Sequence, residues 1–328
     1  MADRVRYGVM GVARIAKSAH LPAAREARNT EIVAIASRTA DKAQACAEEF
    51  GIEKAYGSYE ELLADENVDA IINPLPNSLH CEWTVKAAAA GKPVFCEKPL
   101  AVTVEEADRM TAACESAGVK LMEAFKIRFM PQQDYVREQL DAGVIGDVRI
   151  VRCELTYTLP DWEMDVRGQA DLAGGALFDA GCYCVNQARA IMGDEPVAVQ
   201  AFQRLHEPNR VDATFVSVLK FPGDRMAYVT TGMEQPFCHR CEVMCTTGRI
   251  EIPNMFGPEL VRVFAGKEPH EEKFPPRNPH VAMLEHFSDC VLNDRPVSLT
   301  PADSRANTAV LVALKQAAET EQPVRLDA

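Results

Sequence analysis

The feature that most constrains this chain is an alternation that fills its first 125 residues. Short apolar runs (Val5–Val9, Ile32–Ala36, Ala70–Ile72, Val94–Cys96 and Leu121–Glu123) are separated by Ala-, Glu- and Lys-rich stretches with helical spacing. Strands joined through helices pair in parallel, and the helices cover both faces of the sheet. Two helix starts carry capping boxes, Ser58-Tyr59-Glu60-Glu61 and Thr103-Val104-Glu105-Glu106, where a hydroxyl and a carboxylate satisfy otherwise unpaired amides.

Beyond about residue 147 the rhythm changes. Runs rich in Val, Thr, Phe and Ile (Val148–Thr158, Thr214–Phe221, Met226–Thr231, Glu242–Thr246, Arg249–Ile252 and Leu260–Phe264) follow one another through Gly and Pro turns, which reads as a mostly antiparallel sheet. Helical spacing returns near Asp179–Met192, His280–Leu292 and Pro301–Thr320, and no internal repeat is present. A length of 328 residues fits two domains. The division expected is an α/β dinucleotide-type domain over 1–125 and an α+β domain over 126–328.

Charge narrows the partners. Asp and Glu number 48 against 35 Lys and Arg, a formal net of -13 that repels a nucleic-acid backbone. No apolar run approaches the roughly 18 residues a membrane helix needs, and charge interrupts the first residues, so a reducing cytoplasm is expected. The eleven cysteines are odd in number and read mostly as small buried hydrophobes. Cys238, Cys241 and Cys245 have the spacing of a zinc pair. On an extended strand, however, Cys241 and Cys245 share one face while Cys238 points to the other, and a fourth ligand is missing locally. No metal site is expected.

Candidate chemistry begins after the first strand, at Gly8-Val9-Met10-Gly11-Val12-Ala13-Arg14-Ile15-Ala16. As a degenerate glycine fingerprint, Gly11 makes the tight turn, Ala13 takes the place where backbone approaches a pyrophosphate, and Ala16 lets the helix pack on the strand. An ordinary strand-to-helix turn would look similar. The second strand ends in Ser37 and Arg38 where an NAD site usually places an acid, and with Lys42 these suit the 2′-phosphate of NADP rather than NAD. A solvated strand-end arginine is the plain alternative.

Lys98, in Cys96-Glu97-Lys98-Pro99, stands at the carboxyl end of a parallel strand, where a cation can lower the pKa of a hydroxyl or bind a substrate oxygen. It could also be a surface lysine in a helix-entry turn. In the second half, Gly174 and Gly175 precede a helix starting near Asp179, on which Asp179, Tyr183 and Asn186 or Gln187 would form one polar stripe. A phenol transfers protons usefully only beside a cation, and otherwise donates one structural hydrogen bond.

These residues together resemble the glucose-fructose oxidoreductase, inositol dehydrogenase and rhizopine-catabolism (Gfo/Idh/MocA) oxidoreductases. The resemblance runs through Pro74–His80, Ala90–Leu100, Glu123-Ala124-Phe125 with Arg128-Phe129, the Gly174–Tyr183 segment and Ser304-Arg305-Ala306-Asn307. It implies a Rossmann domain followed by an open sheet of about six to ten strands, whose exposed face often forms homodimers or dimers of dimers. It implies NADP contacts at Leu75, Pro76, Asn77, His80, Glu97, Lys98 and Arg128, beside Gly11, Ala13, Arg14, Ile15, Ser37, Arg38 and Lys42. Tyr183 stands where many members carry His, with Asn186 in place of a frequent Asp. That pattern is most similar to the glucose-fructose oxidoreductase, xylose dehydrogenase and dihydrodiol dehydrogenase branch.

The implied reaction is hydride transfer between nicotinamide and a sugar or polyol carbon, with Tyr183 as acid/base assisted by Lys98. Asp179 would hold a substrate hydroxyl, with Lys126, Arg128, Arg167 and His80 as wall residues. Lys126 departs from the aromatic or Met common in that branch and points to a polar or anionic substrate. A keto-sugar reductase, including one acting on nucleotide-linked sugars, and a non-catalytic NADP-binding regulator are the alternatives.

Overall fold

The computed structural model describes residues 3–257 and 260–326. In chain order the first elements are β1 (Val5–Met10), α1 (Leu21–Glu26), β2 (Thr30–Ala36), α2 (Ala40–Phe50), β3 (Lys54–Tyr56) and α3 (Tyr59–Ala64). There follow β4 (Ala70–Asn73), α4 (His80–Ala89), β5 (Val94–Glu97), α5 (Val104–Ala117) and β6 (Leu121–Ala124). The next are α6 (Pro131–Asp141), β7 (Val148–Thr158), α7 (Cys182–Met192), β8 (Ala198–His206), β9 (Val211–Lys220) and β10 (Met226–Gly232). The chain continues through β11 (Glu234–Cys245), β12 (Arg249–Ile252), β13 (Val261–Phe264), β14 (His270–Glu272), α8 (Pro279–Leu292), α9 (Pro301–Thr320) and β15 (Val324–Arg325).

Strands β1 to β6 make one parallel sheet in the order β3-β2-β1-β4-β5-β6. Strands β1, β4, β5 and β6 are buried on both faces, as the continuous apolar runs require, and the edge strand β3 is half-buried. Both capping boxes form: the Ser58 and Thr103 hydroxyls each accept from the amide three residues on, at Glu61 and Glu106, both at 3.2 Å.

The first compact unit comprises Met1–Phe125 together with Asn278–Arg305, which corrects the expected contiguous domain over 126–328. The reason lies in α8, whose apolar face packs on β1, β2 and α1. Its Ser288 hydroxyl sits 2.9 Å from both Tyr7 Oη and Thr30 Oγ1, and Phe287 packs against Tyr7 and Phe95.

The second unit, Lys126–Arg277 with Ala306–Ala328, is built on a nine-stranded sheet in the order β14-β13-β12-β11-β7-β10-β9-β8-β15. Every pairing is antiparallel except β7 with β10. Alternation is clearest on β7 and β9. Val151, Cys153 and Leu155 point into the core beneath α7, while Arg152 and Glu154 point outward and pair at 2.9 Å with Glu242 and Arg240 of β11. Register shifts between Glu234 and Cys238, and between Met244 and Cys245, break the regular alternation, so Cys241 is buried while Cys245 is only half-buried. Among the described residues no cluster of His, Cys, Asp and Glu could hold a metal ion, and no helix is long and apolar enough to cross a membrane.

Candidate active site

In the parallel sheet the strand order reverses between β1 and β4, and such sheets bind ligands in the crevice at the carboxyl ends there. The turn after β1 is shaped for close approach. Gly11 has φ +87°, a conformation that favours glycine, and an added Cβ would lie 3.0 Å from Leu75 Cδ2 on the loop after β4. Ala13 and Ile15 are half-buried, Arg14 is exposed, and helical structure begins at residue 14 and passes through a π turn over Ala16–His20 into α1. Ala16 is fully buried against the unit's core.

At the end of β2, Ser37 is buried and its amide donates to the Tyr56 carbonyl at 3.1 Å, while Arg38 and Lys42 are exposed. Tyr59 has its pKa raised by burial, and the Arg38 charge opposes that rise. Its phenol oxygen lies 3.6 Å from where a Gly11 Cβ would stand, so Arg38 acts electrostatically on the same crevice. The loop after β4 buries Leu75 and leaves Pro76 and Asn77 half-buried.

The end of β5 is gripped from several directions. Glu97 Oε1 lies 2.7 Å from His20 Nε2, and its other oxygen accepts the Lys98 amide at 3.2 Å. Burial alone would raise the Glu97 pKa. The His20 hydrogen bond and charge, with Lys98 and His280, outweigh burial and bring it down to about 2. The Leu100 amide donates to Glu123 Oε1 at 2.6 Å. His80 is fully buried, with Nδ1 and Nε2 each 2.8 Å from a backbone carbonyl, those of Pro99 and Leu75. Burial lowers its pKa against the upward pull of both carbonyls and of Glu97. Glu97 and His80, expected at the cofactor, therefore spend their polar atoms holding the loops around Lys98, which is itself half-buried.

In the second unit the helix carrying the phenol starts earlier than expected, as a π turn over Leu177–Gly181 that runs into α7. Asp212 of β9 fixes that start, its Oδ2 accepting the Leu177 amide at 2.6 Å. Gly175 has φ +105°, and a Cβ there would fall 1.9 Å from Asp212 Oδ1. Tyr183 is 8% exposed, with its ring edge-on to Phe256 at 5.0 Å between centroids. The Lys126 ammonium lies 4.1 Å from the Phe256 centroid and 6.0 Å from that of Tyr183. Phe256 also packs against His239.

Asp179 is tied on both oxygens, to the Tyr157 hydroxyl at 2.5 Å and to Arg167 Nε at 3.0 Å, and Arg167 also pairs with Asp165. Asp179, expected to hold a substrate hydroxyl, and Arg167, expected in the wall, thus sit in one cluster of two carboxylates and a cation. Asn186 and Gln187 are fully buried, accepting from Arg128 at 3.4 Å and donating to Gln133 at 3.0 Å respectively. Tyr157, Asp212, Phe256 and His20 escaped sequence reasoning, because each earns its place through partners 22 to 77 residues away or by ring packing.

Residues 5–125 match the profile of the oxidoreductase family with an NAD-binding Rossmann fold, and residues 134–251 match the GFO/IDH/MocA C-terminal domain. The chain belongs to this GFO/IDH/MocA oxidoreductase family. D-xylose 1-dehydrogenase (NADP(+)) 2 of Haloferax volcanii is 36% identical over 327 residues, covering 98% of this chain and 99% of the relative. The aldose-aldose oxidoreductase from Caulobacter crescentus, solved with glycerol, superposes with a TM-score of 0.91 at 30% identity, covering 98% of this chain and all of that one. A 3-ketoreductase from Actinomadura kijaniata, solved with NADP and TDP-benzene, also reaches 0.91, at 32% identity over 96% of this chain and 98% of its own.

Proposed function

We propose that the chain is an NADP-dependent dehydrogenase or reductase of sugar or polyol CH–OH groups, with Tyr183 as acid/base and Lys98 as the cation that assists it. The observation that carries this reading is Tyr183 itself, a phenol held almost out of solvent against Phe256 with the Lys126 ammonium 6.0 Å from its ring centre. Burial favours the neutral form of a phenol, so a phenol placed that way moves a proton usefully only where a cation offsets the cost of its charge.

The first unit fits the cofactor. Gly11 leaves room where a side chain would block the crevice, the exposed Arg38 and Lys42 offer cations to a 2′-phosphate, and no acid stands at the end of β2 to repel one. Leu75, Pro76 and Asn77 would flank it, with Ala13, Arg14 and Ile15 at the helix entry; Arg128, a residue of the second unit, would be a further cation. Bound NADP would supply the hydride acceptor. In oxidation Tyr183 takes the substrate hydroxyl proton as the carbinol C–H bond breaks, and Lys98 favours the phenolate; reduction reverses each step.

Because Arg167 is held between Asp179 and Asp165, and Asp179 also accepts from Tyr157, we assign Asp179 and Arg167 to shaping the wall of the sugar site. Lys126, 6.0 Å from the Tyr183 ring centre, is the second-unit cation we assign to selecting polar or anionic sugars. The ketoreductase relative favours a second reading, reduction of a keto-sugar. Initial rates with aldoses, polyols and keto-sugars, followed by NADPH absorbance in both directions, distinguish the two. Tight NADPH binding with no turnover on any of them would leave only a non-catalytic regulator. Assembly through the outer face of the large sheet, where Phe202, Val218 and Tyr228 are exposed, and a cytoplasmic setting complete the proposal.

A further inference from the structure

We propose that His80 is a positioning residue that ties the loop after β4 to the loop bearing Lys98, so that cofactor seating and lysine placement are set together. The inference rests on the reading that Lys98 assists proton transfer and that Leu75, Pro76 and Asn77 flank NADP. The imidazole is fully buried, and its two nitrogens lie 2.8 Å from the carbonyls of Pro99 and Leu75.

Carbonyls only accept hydrogen bonds, so satisfying both takes both ring N–H groups, a charged ring that burial and Lys98 oppose and that the two carbonyls and Glu97 favour. Pro99 directly follows Lys98. Leu75 is the residue that closes on Gly11, with its own amide 3.4 Å from Asn73 Oδ1. Asn73 also donates to the His80 carbonyl at 3.3 Å, anchoring the start of α4 that presents the ring.

Glu97 also grips the Lys98 amide and Glu123 that of Leu100, while His80 reaches both the Leu75 loop and the Lys98 loop. The charged groups acting on the ring are Glu97 and Lys98. Replacing the imidazole with an apolar side chain would strand two buried carbonyls on two different loops, a loss felt at the turn beside Gly11 and at Lys98 together.

The test compares His80→Leu with His80→Gln, whose terminal amide carries two N–H groups and can still span two carbonyls. NADPH affinity is measured by fluorescence titration, and kcat is measured on the NADPH-saturated enzyme with whichever sugar proves active. His80→Leu is expected to weaken NADPH binding and to lower kcat, each by about tenfold or more, with His80→Gln recovering most of both. A His80→Leu enzyme that is merely less heat-stable, with unchanged affinity and kcat, overturns the inference. So does a His80→Gln enzyme no better than His80→Leu.

Should His80→Leu not fold, ring-nitrogen NMR of the wild-type holoenzyme decides: both nitrogens protonated supports the bridge, and a neutral ring overturns it. Lys98→Ala run in parallel separates the two levels. If it keeps full turnover, the underlying reading of Lys98 fails whatever His80 does.

Discussion

Gly175 and Asp212 show how tightly single residues set the second unit's helix. With φ +105° and a Cβ position 1.9 Å from the Asp212 carboxylate, residue 175 admits only glycine. The space thus kept open lets a half-buried acid cap the helix that carries Tyr183. Burial pushes the Asp212 pKa up to about 7, against the pull of the Leu177 and Ala176 amides and of Lys315. A raised pKa means that the folded chain keeps a proton which the unfolded chain releases above its ordinary value. Asp212 therefore contributes most below pH 3.8, and its contribution is lost as pH rises through about 7. Denaturant unfolding across that range should show Asp212→Asn flattening the loss, which is at most roughly 4 kcal/mol in the wild type. A variant with the wild-type pH dependence would remove Asp212 as its source.

Arg38 makes a second prediction at the same scale. If it binds the 2′-phosphate, Arg38→Ala should weaken NADPH binding about 10- to 100-fold, as expected for a lost charge-assisted bond, and change NADH binding little. Equal losses for both nucleotides would assign Arg38 elsewhere.

Among the elements, strong periodicity was legible and long-range pairing was not. The parallel strands follow from continuous apolar runs, and the Ser58 and Thr103 caps are local chemistry written in four residues each. Strand β8 hides because apolar residues stand on both of its faces, Val199 and Ala201 inward and Phe202 outward at 59% exposure. The first half of β11 contains Pro236 and shifted register, so only its partner β7 reveals it as a strand. The start of the phenol's helix was misplaced by two residues because the π turn at Leu177 is stabilised by Asp212, 35 residues downstream. Helix α8 was recognised as a helix but given to the wrong unit, since nothing local tells Ser288 that Tyr7 and Thr30 are its partners. Ser288→Ala would leave two buried hydroxyls short of that partner, and should destabilise the protein by about 1–3 kcal/mol in urea unfolding. A loss below a few tenths of that range would show that the α8 docking is apolar alone.

For the molecule as a whole, the acidic balance of -13 meets a cofactor that is itself polyanionic. Most of the positive groups are already spent, as in the Arg152–Glu242 and Arg240–Glu154 pairs on the outer sheet face. The family motifs around Lys98 and Tyr183 were readable in the sequence. What was not readable is that Glu97, His80, Asp179 and Arg167 are committed to neighbours inside their own units, because a motif shows residue type but not which atoms are already bonded.

The central claim is that Tyr183 moves the proton while NADP exchanges the hydride. Its most direct test is steady-state turnover of wild type and Tyr183→Phe on an active sugar, followed by NADPH absorbance, with NADPH affinity measured alongside. The account predicts a fall in kcat of about 10²-fold or more with affinity unchanged. Turnover near the wild-type rate in a Tyr183→Phe enzyme that still binds NADPH would contradict it.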